Sequence, residues 1–161
     1  MARPPKPRSS PHGTQSWLAV VRAYNLCDAV MTARLATLGV RVAEHEVLAN
    51  LASAPGITQQ TLAARCFVAK SGVSMLLTQM ESRGWVRREA HPDDRRARIV
   101  VATERAREAA PAAYAIAEAL YDEALAGLAD DERRVLHAAL LKITENLQAT
   151  EVAQQTTETT E

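Results

Sequence analysis

The feature that most restricts this chain is a change in the spacing of its apolar residues between Val40 and Thr103. Val47, Leu48 and Leu51 share one helical face over about 43–53, and Pro55-Gly56 breaks the chain directly afterwards. Thr58 suits the N-cap of a short helix to Arg65 with Leu62 and Cys66 inward, and a further helix is expected over about 69–83. Gly84 stops that helix. From Trp85 the period shortens to that of a strand, and after the polar loop 89–97 it returns in the β-branched run Ile99-Val100-Val101. Helix, short turn, helix and hairpin follow one another in the order of a winged helix-turn-helix, whose second helix fits a major groove.

The flanks are helical. Trp17, Val20, Tyr24, Cys27, Met31, Leu35 and Leu38 recur every three or four residues, so one long helix is expected from Thr14 or Ser16 until Gly39 ends it. From Thr103 an alanine-rich helix, kinked at Pro111, should run to about Gly127, and another should restart behind an Asp130-Asp131 cap and continue through Leu147. Tyr114, Ile116, Leu120, Tyr121 and Leu125 put apolar surface on more than one face, an excess that dimerisation explains. The expected fold is mainly α with a small β-hairpin wing. At 161 residues and 47% apolar content, one domain over 14–149 is the default. Within it, 40–102 form the winged helix-turn-helix, and 14–39 with 103–149 form dimerisation helices. Residues 1–13, MARPPKPRSSPHG, read as a disordered basic arm and 150–161 as a polar tail.

Charge is unevenly placed although it sums to zero. Residues 1–61 carry +3, 62–98 carry +4 and 103–161 carry −7, a polarity that would turn the middle of the chain toward phosphate. No apolar run approaches the roughly 20 residues of a membrane span and the start lacks a signal peptide's apolar centre, so a cytoplasmic protein without a membrane partner is expected. Cys27 and Cys66 form no CxxC pair, and His12, His45, His91 and His137 have no metal-ligand spacing, so neither a metal nor another cofactor is implied. No nucleophile-base pair, phosphate loop or paired carboxylates assemble into a catalytic site, which argues against an enzyme.

Within the helix over 69–83, Val73, Leu76, Leu77 and Met80 face inward, while Ser71, Ser74, Met75 and Thr78 fall on the other side. Small hydroxyls allow close approach to base edges, and Lys70 at the helix start can reach a phosphate or a guanine. Arg95, Arg96 and Arg98 lie at the tip and return of the hairpin, where a wing meets the negative potential of a minor groove. Asp94 would repel phosphate, so its expected role is to orient an arginine through a charge-assisted bond. Of Arg87 and Arg88, one should face solvent or phosphate and the other point across the sheet.

LAARCFVAKSGVSMLLTQMESRGWVRR at 62–88 and DDRRARIVVAT at 93–103 resemble the helix-turn-helix, its "E-x-x-G-hydrophobic-V-x-R" exit and the "D-x-R" wing of the MarR family of bacterial regulators. With the flanking helices, the resemblance covers roughly 16–148. It implies a triangular homodimer on a pseudo-palindromic DNA operator, commonly a repressor released by a small molecule or an oxidant. It also implies an effector crevice between the dimer helices and the winged module, which Trp17, Tyr24 and His45 would line. Phe67, Ala69 and Met75 depart from the family's frequent glycine, hydroxyl cap and arginine. Some relatives sense oxidants through a cysteine near the start of the first helix, where this chain has Trp17; Cys27 and Cys66 fit packing positions instead. The alternatives are a winged protein-interaction module without specific DNA binding, which the zero net charge allows, and a cysteine-based redox-sensing regulator.

Overall fold

The structure, a computed structural model, describes residues 11–66, 70–94 and 96–158, with side chains over 12–66, 72–94 and 96–154. Its elements are α1 (Pro11–Ala36), α2 (Val42–Ser53), α3 (Gln59–Arg65), α4 (Lys70–Ser82), β1 (Val86–Ala90), β2 (Arg98–Ala102), α5 (Glu104–Ala124) and α6 (Asp130–Glu158). The fold is the expected one, mainly α with one two-stranded antiparallel hairpin among the described residues. The chain parts after Tyr121 into two compact units, where one domain over 14–149 was expected. In the second unit, α6 has no buried side chain among those described, so this helix encloses no core of its own.

Three boundaries move for local reasons. Helix α1 begins at Pro11, inside the segment read as a disordered arm, because proline's fixed φ and missing N–H cost nothing in a first helical turn. The rest of that arm lies outside the described residues. Helix α6 continues to Glu158 through most of the segment read as a tail, since after Thr150 neither glycine nor proline interrupts propagation. Its start is closed by Glu132, whose Oε2 accepts from the Ala129 N–H at 2.9 Å, so Asp130 and Asp131 sit in the first turn, where they complement the helix dipole. Helix α5 runs through Pro111 to Ala124.

The core of the first unit joins Leu35 of α1, Val47 of α2, Leu62 of α3, Val73, Leu77 and Met80 of α4, Trp85, Val86 of β1 and Val100 of β2, all essentially inaccessible to water. Burying each large apolar side chain contributes about 1.5–3 kcal/mol, so α4 is held by its inward stripe and its opposite face is left exposed. Gly84, at φ +71°, turns the chain out of α4 and into β1, a conformation an L side chain rarely adopts. The hairpin pairs Val86 with Ala102, Arg88 with Val100 and Ala90 with Arg98. At its base the Val100 N–H donates to the Ile57 carbonyl at 3.0 Å, and the Thr103 hydroxyl donates to the Gly84 carbonyl at 2.7 Å. The Thr103 oxygen in turn accepts from the Ala106 N–H at 3.3 Å, which caps α5.

A polar lock fixes the far end of α4. Glu44 is fully buried, and its carboxylate pairs with the Arg83 guanidinium and accepts from the Arg41 N–H at 2.9 Å. Arg83 also donates from Nη2 to the Gly39 carbonyl at 2.6 Å, tying the turn after α1 to the end of α4. Arg105 donates to the Arg83 carbonyl at 2.8 Å and lays its guanidinium 4.4 Å from the Trp85 ring centroid.

Candidate nucleic-acid interface

Thr58 caps α3 as its sequence position predicts, its hydroxyl accepting from the Thr61 N–H at 3.1 Å. Helix α4 packs against α3. On α4, Ser74 and Thr78 are exposed and Met75 is 66% accessible, so the face opposite the core is open to a partner. The side chains of Lys70 and Ser71, the residues Phe67 and Ala69, and Arg95 lie outside the described residues.

The wing brings Arg96 and Arg98 to the same side. A concavity of about 470 Å³ lies between α3, α4 and the hairpin, with Gln59, Gln60, Ser74, Asp94, Arg96 and Arg98 on its wall. Hydroxyl, amide and guanidinium donors thus converge at the mouth of one groove, a chemistry suited to phosphate oxygens and base edges. Asp94 departs from its expected role in one respect. Its Oδ1 accepts from the main-chain N–H of Arg96 at 2.9 Å, and its carbonyl accepts from the Ala97 N–H at 3.0 Å, so it shapes the tip through the backbone.

The question left open between Arg87 and Arg88 is resolved by their partners. Arg87 is exposed and pairs with Glu89 on its own strand. Arg88 reaches back to α4, donating from Nη2 to Glu81 Oε2 at 2.6 Å and to the Thr78 hydroxyl at 3.2 Å. Its main-chain N–H also donates to Glu81 Oε1 at 3.0 Å, and these bonds hold the Glu81 carboxyl below the usual carboxylate range. Sequence reading missed this triad, although an acid seven residues before an arginine across a glycine turn is its signal.

A second concavity, about 340 Å³, lies between α1, α2 and α5 and is lined mainly by Tyr24, Cys27, Met31, His45, Glu46 and Tyr121. It brings together Tyr24 and His45 of the expected crevice, but Trp17, 48% exposed, is not among its lining residues. Trp17 lies about two turns of α1 before Tyr24, outside the stretch from Tyr24 to Met31 that lines this cavity. His45 is buried against Tyr114 with ring centroids 5.6 Å apart, and burial pushes its pKa down. Its Nδ1 has no hydrogen-bond partner among the described residues. A third hollow, about 360 Å³ and not anticipated, lies between α2, β2 and α5, with Leu48, Pro55, Val100, Ala110 and Tyr114 on its wall.

Cys66 is buried at the end of α3, and burial pushes its thiol up to about 11, so it stays protonated and unreactive at neutral pH. No group of histidine, cysteine and carboxylate side chains with the geometry of a metal site occurs among the described residues, and no described helix is long and apolar enough to cross a membrane.

Residues 38–97 match the model of the MarR family. The transcriptional regulator HosA of Escherichia coli O111:H- is 31% identical over 100 residues, which are 62% of this chain and 74% of HosA. Among solved structures, the MarR family regulator Sco3205 of Streptomyces coelicolor, in complex with DNA, superposes with a TM-score of 0.80 at 21% identity, over 87% of this chain and 94% of that one. The organohalide-sensing regulator RdhR-CbdbA1625, in its 2,4-dichlorophenol-bound form, gives a TM-score of 0.76 at 20% identity, over 89% and 86% of the two chains.

Proposed function

Because this chain belongs to the MarR family and is a DNA-binding transcriptional regulator, we propose that it acts as a homodimeric repressor on a pseudo-palindromic operator and is released by a small-molecule effector. Helix α4 would enter the major groove with Lys70, Ser71, Ser74, Met75 and Thr78, while Arg95, Arg96 and Arg98 grip backbone and minor groove. The observation that carries this reading is the single concavity on which Ser74 of α4 and Arg96 and Arg98 of the wing open together. A second copy of the chain would cover exposed apolar side chains such as Trp17, Leu18 and Leu26 of α1 and Val135, Leu141 and Leu147 of α6.

The concavity holding Tyr24 and His45 is the effector site in this proposal, and the ligand-bound form of RdhR-CbdbA1625 is the precedent within the fold. An effector acts there only by preferring a spacing of the two α4 helices that does not match adjacent major grooves, about 34 Å apart. The test is fluorescence anisotropy against the DNA upstream of the chain's own gene and a scrambled duplex, across a salt series. Selective binding that weakens as salt rises is the expected result. Equal affinity for both duplexes, or affinity indifferent to salt, would refute a sequence-reading role at that DNA.

A further inference from the structure

The hydroxyl of Thr78 is already committed within the protein. It donates its one hydrogen to the Ser74 carbonyl at 3.0 Å and accepts from Arg88 Nη2 at 3.2 Å. A hydroxyl has one donor and two acceptor positions, so only one lone pair is left for a partner approaching the exposed face of α4. Turning the hydrogen outward would set lone pair against lone pair at the Ser74 carbonyl. The Arg88 donor blocks the other rotation, and Arg88 is itself fixed by Glu81 through Nε at 3.0 Å and Nη2 at 2.6 Å.

We propose that Thr78 reads DNA as an obligate hydrogen-bond acceptor and so selects a base that presents its exocyclic amino group in the major groove, adenine or cytosine, over guanine or thymine at the position it faces. In the major groove adenine offers its N6 amino hydrogen and cytosine its N4, whereas guanine and thymine offer only acceptors at that edge. An unrestrained threonine would satisfy either kind. Arg88 is a positioning residue in this scheme, acting on DNA through Thr78. The inference rests on α4 being the major-groove helix.

The experiment is selection of the full chain against a randomised duplex pool, followed by sequencing, for wild type, Thr78→Val, Thr78→Ser and Arg88→Met. The wild-type profile should contain one position per half-site where adenine or cytosine exceeds guanine and thymine by roughly five- to tenfold on one strand, as for one well-placed hydrogen bond. Thr78→Val, which keeps the shape and removes the hydroxyl, should flatten that position and leave the others intact; Thr78→Ser should preserve it. Arg88→Met should weaken the preference at that position alone. An unchanged profile for Thr78→Val, or loss of a preference for guanine or thymine, would overturn the proposal and leave the DNA-reading role standing. A uniform change across all positions for Arg88→Met would overturn the positioning role and mark Arg88 as structural. A wild-type chain that enriches no sequence would overturn the regulator reading as well.

Discussion

Replacing Arg83 with methionine isolates the lock at the end of α4. The substitution keeps much of the aliphatic stem and removes the guanidinium that neutralises fully buried Glu44. Breaking a buried ion pair from one side costs about 3–5 kcal/mol. Two features reduce that figure: Arg83 is one-third exposed, so water can follow it out, and Glu44 keeps the Arg41 N–H as a donor. A loss of about 2–3 kcal/mol follows. For a chain of this size that is a fall of roughly 6–10 °C in Tm. The bond from Arg105 is made to the main-chain carbonyl of Arg83 and survives the change. Adding Glu44→Gln to Arg83→Met should recover about 1 kcal/mol, because a neutral amide replaces the stranded carboxylate. Urea titration followed by far-UV circular dichroism, at one protein concentration, measures both variants and the Glu44→Gln single change. If Arg83→Met costs less than about 0.5 kcal/mol, or the double variant loses the sum of the two single losses, the pair carries no coupling and the argument fails.

Arg96→Ala should weaken operator binding by about 1–3 kcal/mol with helical content and assembly mass unchanged, read by anisotropy and light scattering; an unaltered affinity would remove Arg96 from the contact set. His45 is held neutral by burial, so below its usual 6.5 the unfolded chain takes up the proton first and stability should fall as pH drops from there toward the lowered native value. His45→Phe, which keeps the ring beside Tyr114, should lose stability less steeply over that window in thermal melts, and matching slopes would count against the assignment. With its thiol near 11, Cys66 is about one part in a thousand thiolate at pH 8 and should resist an aromatic disulfide reagent until the chain is unfolded. Rapid labelling in the native state would contradict that.

The parts of this molecule that local chemistry governs were readable from sequence. The apolar stripe of α4, the Thr58 cap and the glycine that ends α4 each depend on residues within one or two turns, and each stands where its pattern places it. Contacts closed by the tertiary fold were not readable. Glu44 and Arg83 are 39 residues apart, and only the packing of α2 beside α4 gives a buried acid its partner. Arg88 carries no sequence mark separating it from Arg87; the pleat of β1 turns one toward α4 and the other outward. Trp17 shares the apolar stripe of Tyr24 and Met31 but does not line their cavity, because a helical stripe records which face a residue occupies and says nothing of how far along the helix a cavity extends.

The wing is a cantilever. Its root is clamped where Thr103 bonds back to Gly84 and where Val100 takes the Ile57 carbonyl, whereas Pro92, Asp93, Asp94 and Arg96 at its free end are exposed. Bending or lengthening the free end strains nothing at the root, so the tip is where insertions and charge changes are absorbed without unfolding. A single residue inserted into either strand would instead reverse every inward side chain beyond it and pull Val86 or Val100 from the core. Divergence of grip among chains built this way is therefore expected at the tip, while the root stays tied to the core it helps to close.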